Sequence, residues 1–282
     1  MRDYRVLILS MCSSLKRFPI DSECNLGVYK GEPYDQVINN WLGAIQDLTK
    51  KKVPAQDLYI GSNWKEILAC AKTAGSVGFV PQVWVVSAGW GLIPENFKIT
   101  SYAASFSEGE SSIHNLKWPQ EFNSKQRSRS WWQTINQKRN LDLPSSFPQL
   151  YSSLPNKKNL RVLIILSKEY YLPLELEILE LISLGADVVI VSSGMYSELE
   201  MVHPVIKDHV LPLNTKFKTA NESLKKNCHV LNASMATWLL ENYHDELKKG
   251  AEELHTALDK KRIQLNEEEF YFSNKQKEKS QW

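Results

Sequence analysis

The sequence has few residues of the kinds that form disulfides or bind metals. Its four cysteines are scattered along 282 residues without a C-x-x-C pair; they are Cys12, Cys24, Cys70 and Cys228. A chain of this length can build a core without disulfides, so we expect reduced thiols. The six histidines form no His-x-x-x-His pair and lie beside no carboxylate cluster with metal-ligand spacing. The sequence therefore predicts no metal site.

Long apolar runs and a large excess of charge are also missing. No apolar stretch reaches the roughly 20 residues of a membrane span, and the first apolar run, Val6 to Leu9, is too short for a signal peptide. The formal net charge is +2, from 34 Lys and Arg against 32 Asp and Glu, which excludes a generally basic surface but allows a local basic patch. We expect a soluble, cytoplasmic protein without a membrane partner.

Signature motifs of several enzyme classes are absent as well. The chain has no G-x-S-x-G elbow, no G-x-G-x-x-G fingerprint, no Walker loop and no aspartate-rich metal motif. The sequence therefore identifies no catalytic residue and no cofactor, and it leaves open whether the protein is an enzyme.

The chain does contain apolar, β-branched runs that alternate with helical patterns. The runs are Arg5–Ser10, Val83–Val86, Arg161–Ser167 and Val188–Val191, and the amphipathic stretches include Tyr34–Lys50, Trp64–Ala74 and Pro173–Ser183. Strands buried on both faces are apolar almost throughout. This alternation predicts an α/β fold with a Rossmann-like parallel sheet, flanking helices and a C-terminal helix. The strand pattern of the first half of the chain recurs in the second half. This recurrence is consistent with two related βαβ halves and also with one continuous parallel sheet.

The same pattern predicts domain boundaries. We expect an α/β unit over residues 1–140, a proline-bearing linker or crossover over 141–159, a second α/β unit over 160–244, and a charged C-terminal helix and tail over 245–282. Val205 to Leu211 is a candidate for a further strand, and Val230 to Tyr243 for a helix. In the last helix, Leu247, Leu254 and Leu258 form a thin apolar stripe that would pack on the domain or on a helix of a protein partner.

The stretch Val83 to Tyr102 is the strongest candidate for a binding site. A buried strand ends there in small residues and glycines, which let the backbone turn sharply or approach a ligand closely. Ligands of open α/β sheets lie outside the carboxyl ends of the strands. Polar residues at neighbouring strand ends would converge there on a ligand-binding crevice: Ser10, Cys12, Ser14, Lys16, Tyr59, Ser62, Ser87, Gly89, Gly91, Ser101 and Tyr102. Lys16 would anchor an anion, and Tyr59 or Tyr102 would stack on a base; alternatively, the tyrosines only complete the core.

A second candidate site is the basic and aromatic stretch from Lys117 to Arg139. Aromatic rings interleaved with arginines can stack on bases and neutralise phosphates. The candidate nucleic-acid-binding residues are Lys125, Arg127, Arg129, Trp131 and Trp132. The alternative is a helix that packs its tryptophans inward and leaves a solvated basic face.

Four motifs of the first 106 residues resemble one protein family. They are Cys12-x-x-x-Lys16, Pro54-Ala-x-Asp-Leu-Tyr59, Ser87-Ala-x-x-Gly-Leu-Ile93-Pro94 and Ile99-x-x-Tyr102. This set resembles a bacterial and phage family of α/β proteins with an "SAKYGLL…PY" signature, distantly similar to the peroxide-stress YaaA proteins. The resemblance implies a nucleic-acid setting such as DNA protection, base modification or antiphage defence, and it identifies no catalytic residue. Gly89-Trp90 and Thr100-Ser101 depart from the family pattern, which implies a different shape or ligand at the pocket.

Three hypotheses about function follow. In the first, the crevice holds a nucleotide, nucleobase or phosphosugar, and the protein forms or breaks a glycosidic bond; Asp21, Asp57 and Glu95 are the candidate carboxylates for that chemistry. In the second, the protein is a non-catalytic subunit of a complex that contacts DNA or RNA. In the third, it is a structural adaptor whose C-terminal helix binds a protein partner.

Overall fold

The computed structural model describes residues 3–193, 195, 198–211 and 231–261. The strands are β1 (Tyr4–Met11), β2 (Lys52–Pro54), β3 (Phe79–Ser87), β4 (Gly91–Pro94), β5 (Lys98–Thr100), β6 (Leu160–Ile165) and β7 (Asp187–Val191). The main sheet has the order β4-β3-β1-β6-β7, and its neighbouring strands run parallel except for the β3–β4 hairpin. Strands β2 and β5 form a separate antiparallel pair.

Helices lie between the strands in the expected alternation. They are α1 (Tyr34–Gln46), α2 (Ala55–Leu58), α3 (Ser62–Ser76), α4 (Ser124–Lys138), α5 (Phe147–Ser153), α6 (Lys168–Tyr171), α7 (Glu175–Ser183), α8 (Pro204–Lys207), α9 (Leu231–Lys249) and α10 (residues 251–261). Short 3-10 turns are Ser22–Cys24, Leu26–Tyr29, Ile113–Asn115, Lys157–Asn159, Leu172–Leu174 and Leu199–Met201. Helices α3 and α9 pack against each other, with α3 against β1 and β3 and α9 against β6 and β7. The predicted α/β fold is confirmed.

The two halves of the chain form one sheet. Strand β1 pairs with β3 on one side and with β6 on the other, and Leu7 lies opposite both Gln82 and Val162. From Val6 to Leu9, β1 is at most 1% exposed, as expected for a central strand covered on both faces. The question of one sheet or two is therefore settled in favour of one.

Local predictions differ in how they compare with the structure. Of the two alternatives for residues 141–159, a linker or a crossover, the segment is a crossover that contains α5 and packs on the domain through the buried Phe147 and Leu150. The strand proposed over Val205 to Leu211 begins as the short helix α8 and continues as a turn, and within this stretch Val210 makes a β-bridge with Ile190. Proline at the first helical position and the His203 side chain, which accepts from the backbone N–H of Val205, favour helix there.

The C-terminal region of the described chain packs on the same domain. Helix α9 has a non-helical residue at Tyr243, and Gly250, with a φ of 149°, separates it from α10. Leu247, Leu254 and Leu258 are at most 2% exposed, so the predicted stripe is buried against this chain. The predicted start of α9 at Val230 and the tail beyond residue 261 lie outside the described residues. No helix in the described ranges is long and apolar enough to cross a membrane.

The topology creates a switch point at the middle of the sheet. After β1 the chain adds β3 on one side, and it later returns to place β6 on the other side of β1. In doubly wound sheets the crevice at such a point, outside the carboxyl ends of the strands, is where ligands bind. The segments that follow β1 and β6 are therefore the expected location of a binding site.

Candidate functional site

Three predicted site residues form a buried hydroxyl cluster at the carboxyl end of β3. The Tyr102 hydroxyl lies 2.6 Å from Ser87 Oγ and 2.9 Å from the Tyr59 hydroxyl. Ser87 Oγ also accepts from the backbone N–H of Trp90, at 2.9 Å. Because burial destabilises a phenolate, the pKa values of Tyr102 and Tyr59 are both raised well above the usual range. Both side chains therefore stay protonated at neutral pH.

Lys16 and Cys12 extend this cluster towards β1. Lys16 Nζ lies 4.3 Å from the centre of the Tyr102 ring and 5.4 Å from that of Tyr59. Burial lowers the pKa of Lys16, although the charge of a nearby Cys12 thiolate would act in the opposite direction. Cys12 Sγ lies 3.3 Å from the Tyr170 hydroxyl, so this contact spans the switch point between β1 and β6.

The two glycines of the signature stretch serve packing. A Cβ on Gly89 would lie 2.3 Å from Cδ2 of Tyr102, and a Cβ on Gly91 would lie 2.4 Å from Oδ1 of Asn136. Gly91 also has a φ of 75°, in the left-handed region that favours glycine. The sharp turn into β4 therefore explains Gly91, and the close packing of the Tyr102 ring explains Gly89, so close approach to a ligand is not needed for either.

The backbone of this turn is occupied by hydrogen bonds from α1 and α4. Trp41 Nε1 donates to the Gly89 carbonyl at 2.9 Å, and Trp131 Nε1 donates to the Ala88 carbonyl at 2.7 Å. Arg139 Nη1 donates to the carbonyls of Trp90 and Leu92. The turn is thus fixed in the core by side chains from α1 and α4.

The predicted ligand-binding residues therefore fall into three groups. The buried ones are Ser10, Cys12, Tyr59, Ser87, Gly89, Gly91 and Tyr102, and the exposed ones are Ser14 and Ser62. Lys16 is partly exposed beside the buried group. The strand ends do converge, but most of the convergent side chains are in contact with one another. Their binding role remains a prediction.

The basic and aromatic stretch forms α4, and its tryptophans face the core. Trp131 and Trp132 are 0% exposed, and Trp132 Nε1 donates to Glu177 at 2.6 Å. Neither ring can stack on a base from this position, so this part of the nucleic-acid prediction is wrong. The amphipathic alternative, with the tryptophans packed inward, describes the helix.

The basic side chains of α4 have different environments. Lys125 and Arg129 both pair with Glu175, which neutralises part of their charge. Arg127 donates Nε to the Phe122 carbonyl at 2.9 Å and lines a surface groove.

This groove is a concavity near the switch point. Its volume is 720 Å³, within the range of small-molecule sites. Its lining combines apolar and polar groups: Phe106, Ser107, Glu108, His114, Ser124, Arg127, Glu169 and Leu172. Glu169 and Leu172 flank Tyr170 just after β6, and Phe106 packs edge-on against the Tyr170 ring at 5.2 Å. The groove therefore lies beside the Cys12–Tyr170 contact at the switch point.

His114 is a titratable group that hydrogen bonds hold in the groove. Its Nε2 lies 3.1 Å from the Phe106 carbonyl and 3.4 Å from Ser128 Oγ, and its buried Nδ1 has no protein partner among the described residues. Burial lowers the pKa of His114 and outweighs the hydrogen bond to the Phe106 carbonyl, which raises it; the positive charge of Arg127 adds to the lowering. The imidazole is therefore neutral at physiological pH and can donate or accept a hydrogen bond.

Sequence reasoning found only Arg127 among the groove residues. The acidic and histidine residues Glu108, His114 and Glu169 belong to no motif, and only the fold brings them together. The proposed carboxylates lie elsewhere: Asp21 pairs with Lys50, Asp57 is exposed on α2, and Glu95 is partly buried after β4, where burial raises its pKa. Within the described ranges, no group of three or more His, Cys, Asp or Glu residues could hold a metal ion.

Comparisons with protein-family models, curated proteins and solved structures found no match for this chain. The resemblance stated above therefore remains a prediction, and the candidate site depends on its geometry.

Proposed function

We propose that the protein binds a nucleoside or a singly phosphorylated nucleotide in the groove beside the β1–β6 switch point. The observation that carries the proposal is the placement of Arg127, His114 and two carboxylates around one concavity at the carboxyl end of a doubly wound sheet. Among the predicted ligands, which are nucleotides, nucleobases and phosphosugars, a nucleoside or a singly phosphorylated nucleotide suits these groups best.

The polar groups of the groove suit different parts of such a ligand. The Arg127 guanidinium is suited to a phosphate, because its planar donors match phosphate oxygens. Glu108 and Glu169 can accept hydrogen bonds from ribose hydroxyls and from the amino groups of bases. Leu172, which is partly exposed, provides apolar surface for a base.

The charge of the groove argues for a small ligand over a polyanion. With His114 neutral, Arg127 contributes one positive charge and the two glutamates contribute two negative charges. A triphosphate or an oligonucleotide backbone would meet stronger net repulsion there than a monophosphate, and an uncharged nucleoside would meet none. Association with nucleic acid, and a role in DNA protection or defence, would then require another surface of the protein.

The test is calorimetric titration of the full chain with a panel of free bases, nucleosides, nucleoside monophosphates, nucleoside triphosphates and ribose 5-phosphate. We expect binding of nucleosides or monophosphates and weaker binding of triphosphates. Arg127→Gln should weaken monophosphate binding by about 10- to 100-fold, since a hydrogen bond to a charged group contributes about 1.5–3 kcal/mol. It should leave nucleoside binding nearly unchanged.

Lys72→Gln is the matched control, because Lys72 is exposed on α3 and the substitution removes the same charge. This variant should bind the whole panel as the wild type does. Absence of binding across the panel at millimolar ligand, or equal monophosphate affinity for Arg127→Gln and wild type, would contradict the proposal.

A further inference from the structure

We propose that the groove selects guanine nucleotides and that the Glu169 carboxylate recognises the edge of the guanine base. This inference rests on the proposed function, because it names the base of the nucleotide that the groove would hold. It goes beyond that function, which does not distinguish one base from another.

The charged side chains of the groove form two groups. Arg127 and Glu108 both lie close enough to His114 for their charges to act on its pKa, in opposite directions. Glu169 comes from a different part of the fold, since it lies in α6 just after β6, and it lines the groove together with Leu172. The groove therefore has one group around His114 and another at the end of β6.

The group around His114 suits the phosphate and the sugar. Arg127 Nε donates to the Phe122 carbonyl at 2.9 Å, which orients the guanidinium, and within the described part of the chain its two terminal nitrogens have no acceptor. Two coplanar N–H groups of this kind match two oxygens of a phosphate. The neighbouring Glu108 can then accept a hydrogen bond from a ribose hydroxyl.

The group at the end of β6 suits the base. Glu169 and Leu172 are three residues apart in continuous helical backbone, so their side chains lie on the same face. Leu172 is partly exposed and provides apolar surface for the face of a ring. The Glu169 carboxylate forms no ion pair or hydrogen bond with another described residue, whereas Glu175 on the next turn pairs with Lys125. A base on Leu172 therefore presents its edge to a carboxylate with free acceptor oxygens.

The hydrogen-bonding pattern of this edge favours guanine. A carboxylate offers two acceptors and no donor. Guanine presents two adjacent donors, the N1–H and the 2-amino group, which match both oxygens. Adenine and cytosine present an amino group beside a ring nitrogen that is itself an acceptor, and uracil presents one N–H between two carbonyls. Each of these three bases would place a lone pair against the carboxylate, which costs binding free energy because the polar groups stay unpaired.

The experiment is calorimetric titration of the full chain at pH 7 with the monophosphates of guanosine, inosine, adenosine, cytidine and uridine. Inosine monophosphate keeps the N1–H of guanine and lacks the 2-amino group. We expect guanosine monophosphate to bind most tightly and inosine monophosphate to bind about 10- to 100-fold more weakly, the effect of one lost hydrogen bond to a charged group. The other three should bind more weakly than inosine monophosphate.

Two variants with the same change of charge separate the roles of the carboxylates. Glu169→Gln replaces one acceptor by a donor, so we expect guanosine monophosphate to bind about 10- to 100-fold more weakly. Its preference over adenosine monophosphate should shrink, because an amide can pair with the 6-amino group and N1 of adenine. Glu108→Gln should keep the preference for guanine, since Glu108 is assigned to the sugar.

The outcomes distinguish this inference from the proposed function. Equal affinities for all five monophosphates would overturn the selection of guanine and leave a nucleotide site in place. A guanine preference that Glu169→Gln leaves intact, or that Glu108→Gln abolishes, would overturn the role of Glu169. Absence of binding by every monophosphate would contradict the proposed function and this inference with it.

Discussion

Glu177 is a buried carboxylate whose ionisation couples stability to pH. It accepts hydrogen bonds from Trp132 Nε1 at 2.6 Å and from the backbone N–H of Phe147 at 2.9 Å, so it joins α7 to α4 and α5. Both hydrogen bonds favour the charged form, but burial outweighs them and raises the pKa of Glu177 from 4.5 to about 7.

This shift predicts a loss of stability as pH rises. Between pH 4.5 and about 7, the folded protein keeps a proton that the unfolded chain has released. The free energy of unfolding should therefore be highest below this window and fall through it, by at most about 1.4 kcal/mol per pH unit. Urea unfolding from pH 4.5 to 7.5 measures the slope, which Glu177→Gln should reduce. The exposed Glu121→Gln is the control; an equal slope in all three proteins would show that Glu177 does not titrate in this window.

Gly89 provides a test of packing at the turn after β3. Because a Cβ there would meet the Tyr102 ring at 2.3 Å, Gly89→Ala should destabilise the fold by about 1–3 kcal/mol. Gly43, within α1, has open space around it, so Gly43→Ala should be neutral or stabilising by up to about 1 kcal/mol. Chemical denaturation of both variants checks the contrast. A Gly89→Ala protein as stable as Gly43→Ala would show that Tyr102 can move aside freely.

At the scale of secondary structure, α4 holds the turn between β3 and β4 in place. Asn136 Oδ1 accepts from the backbone N–H of Leu92 at 2.8 Å, and Asn136 is 4% exposed. Asn136→Ala would leave that N–H buried without a partner, so we expect a loss of about 1–3 kcal/mol in the free energy of unfolding. Gln137→Ala, at the exposed neighbouring position, should change stability by less than about 0.5 kcal/mol. Equal stability of the two variants, measured by urea unfolding, would contradict this role for α4.

The elements that could be predicted from sequence are those with strong apolar periodicity. The buried runs of β1 and β6, and the amphipathic patterns of α1 and α3, are determined by local spacing, and their positions were predicted to within a few residues. The β4 hairpin strand was missed because Gly89 and Gly91 suggested a loop, whereas β4 is held by side chains from a helix more than 40 residues away. Long-range hydrogen bonds of this kind leave no local pattern in the sequence.

The candidate site was predictable only in part for the same reason. Hydroxyl groups at the ends of β1 and β3 converge because parallel strands end at one edge, which the sequence pattern implied. Whether such groups face solvent or each other depends on tertiary packing. His114 and Glu169 are 55 residues apart and meet in the groove only because the sheet places the segment after β6 beside the loop before α4.

At the scale of the whole molecule, the sheet joins both halves of the chain, which predicts one cooperative unfolding transition. Leu163 lies in β6 and is 2% exposed, so Leu163→Ala should cost about 2–5 kcal/mol. Seven of the nine tryptophans lie in residues 1–140, so fluorescence reports mainly on the first half. We expect this variant to shift the fluorescence and circular-dichroism transitions together. A fluorescence transition that stays in place while the other moves would mean that the halves unfold independently.

The groove at the switch point is the central functional hypothesis for the whole molecule, and a crystal structure of the protein with a saturating nucleoside monophosphate tests it most directly. We predict density for the ligand in the groove, with the phosphate within hydrogen-bond distance of the Arg127 guanidinium and the sugar or base edge against Glu108 or Glu169. A ligand bound elsewhere on the protein, or an empty groove at a concentration that saturates binding in solution, would contradict it.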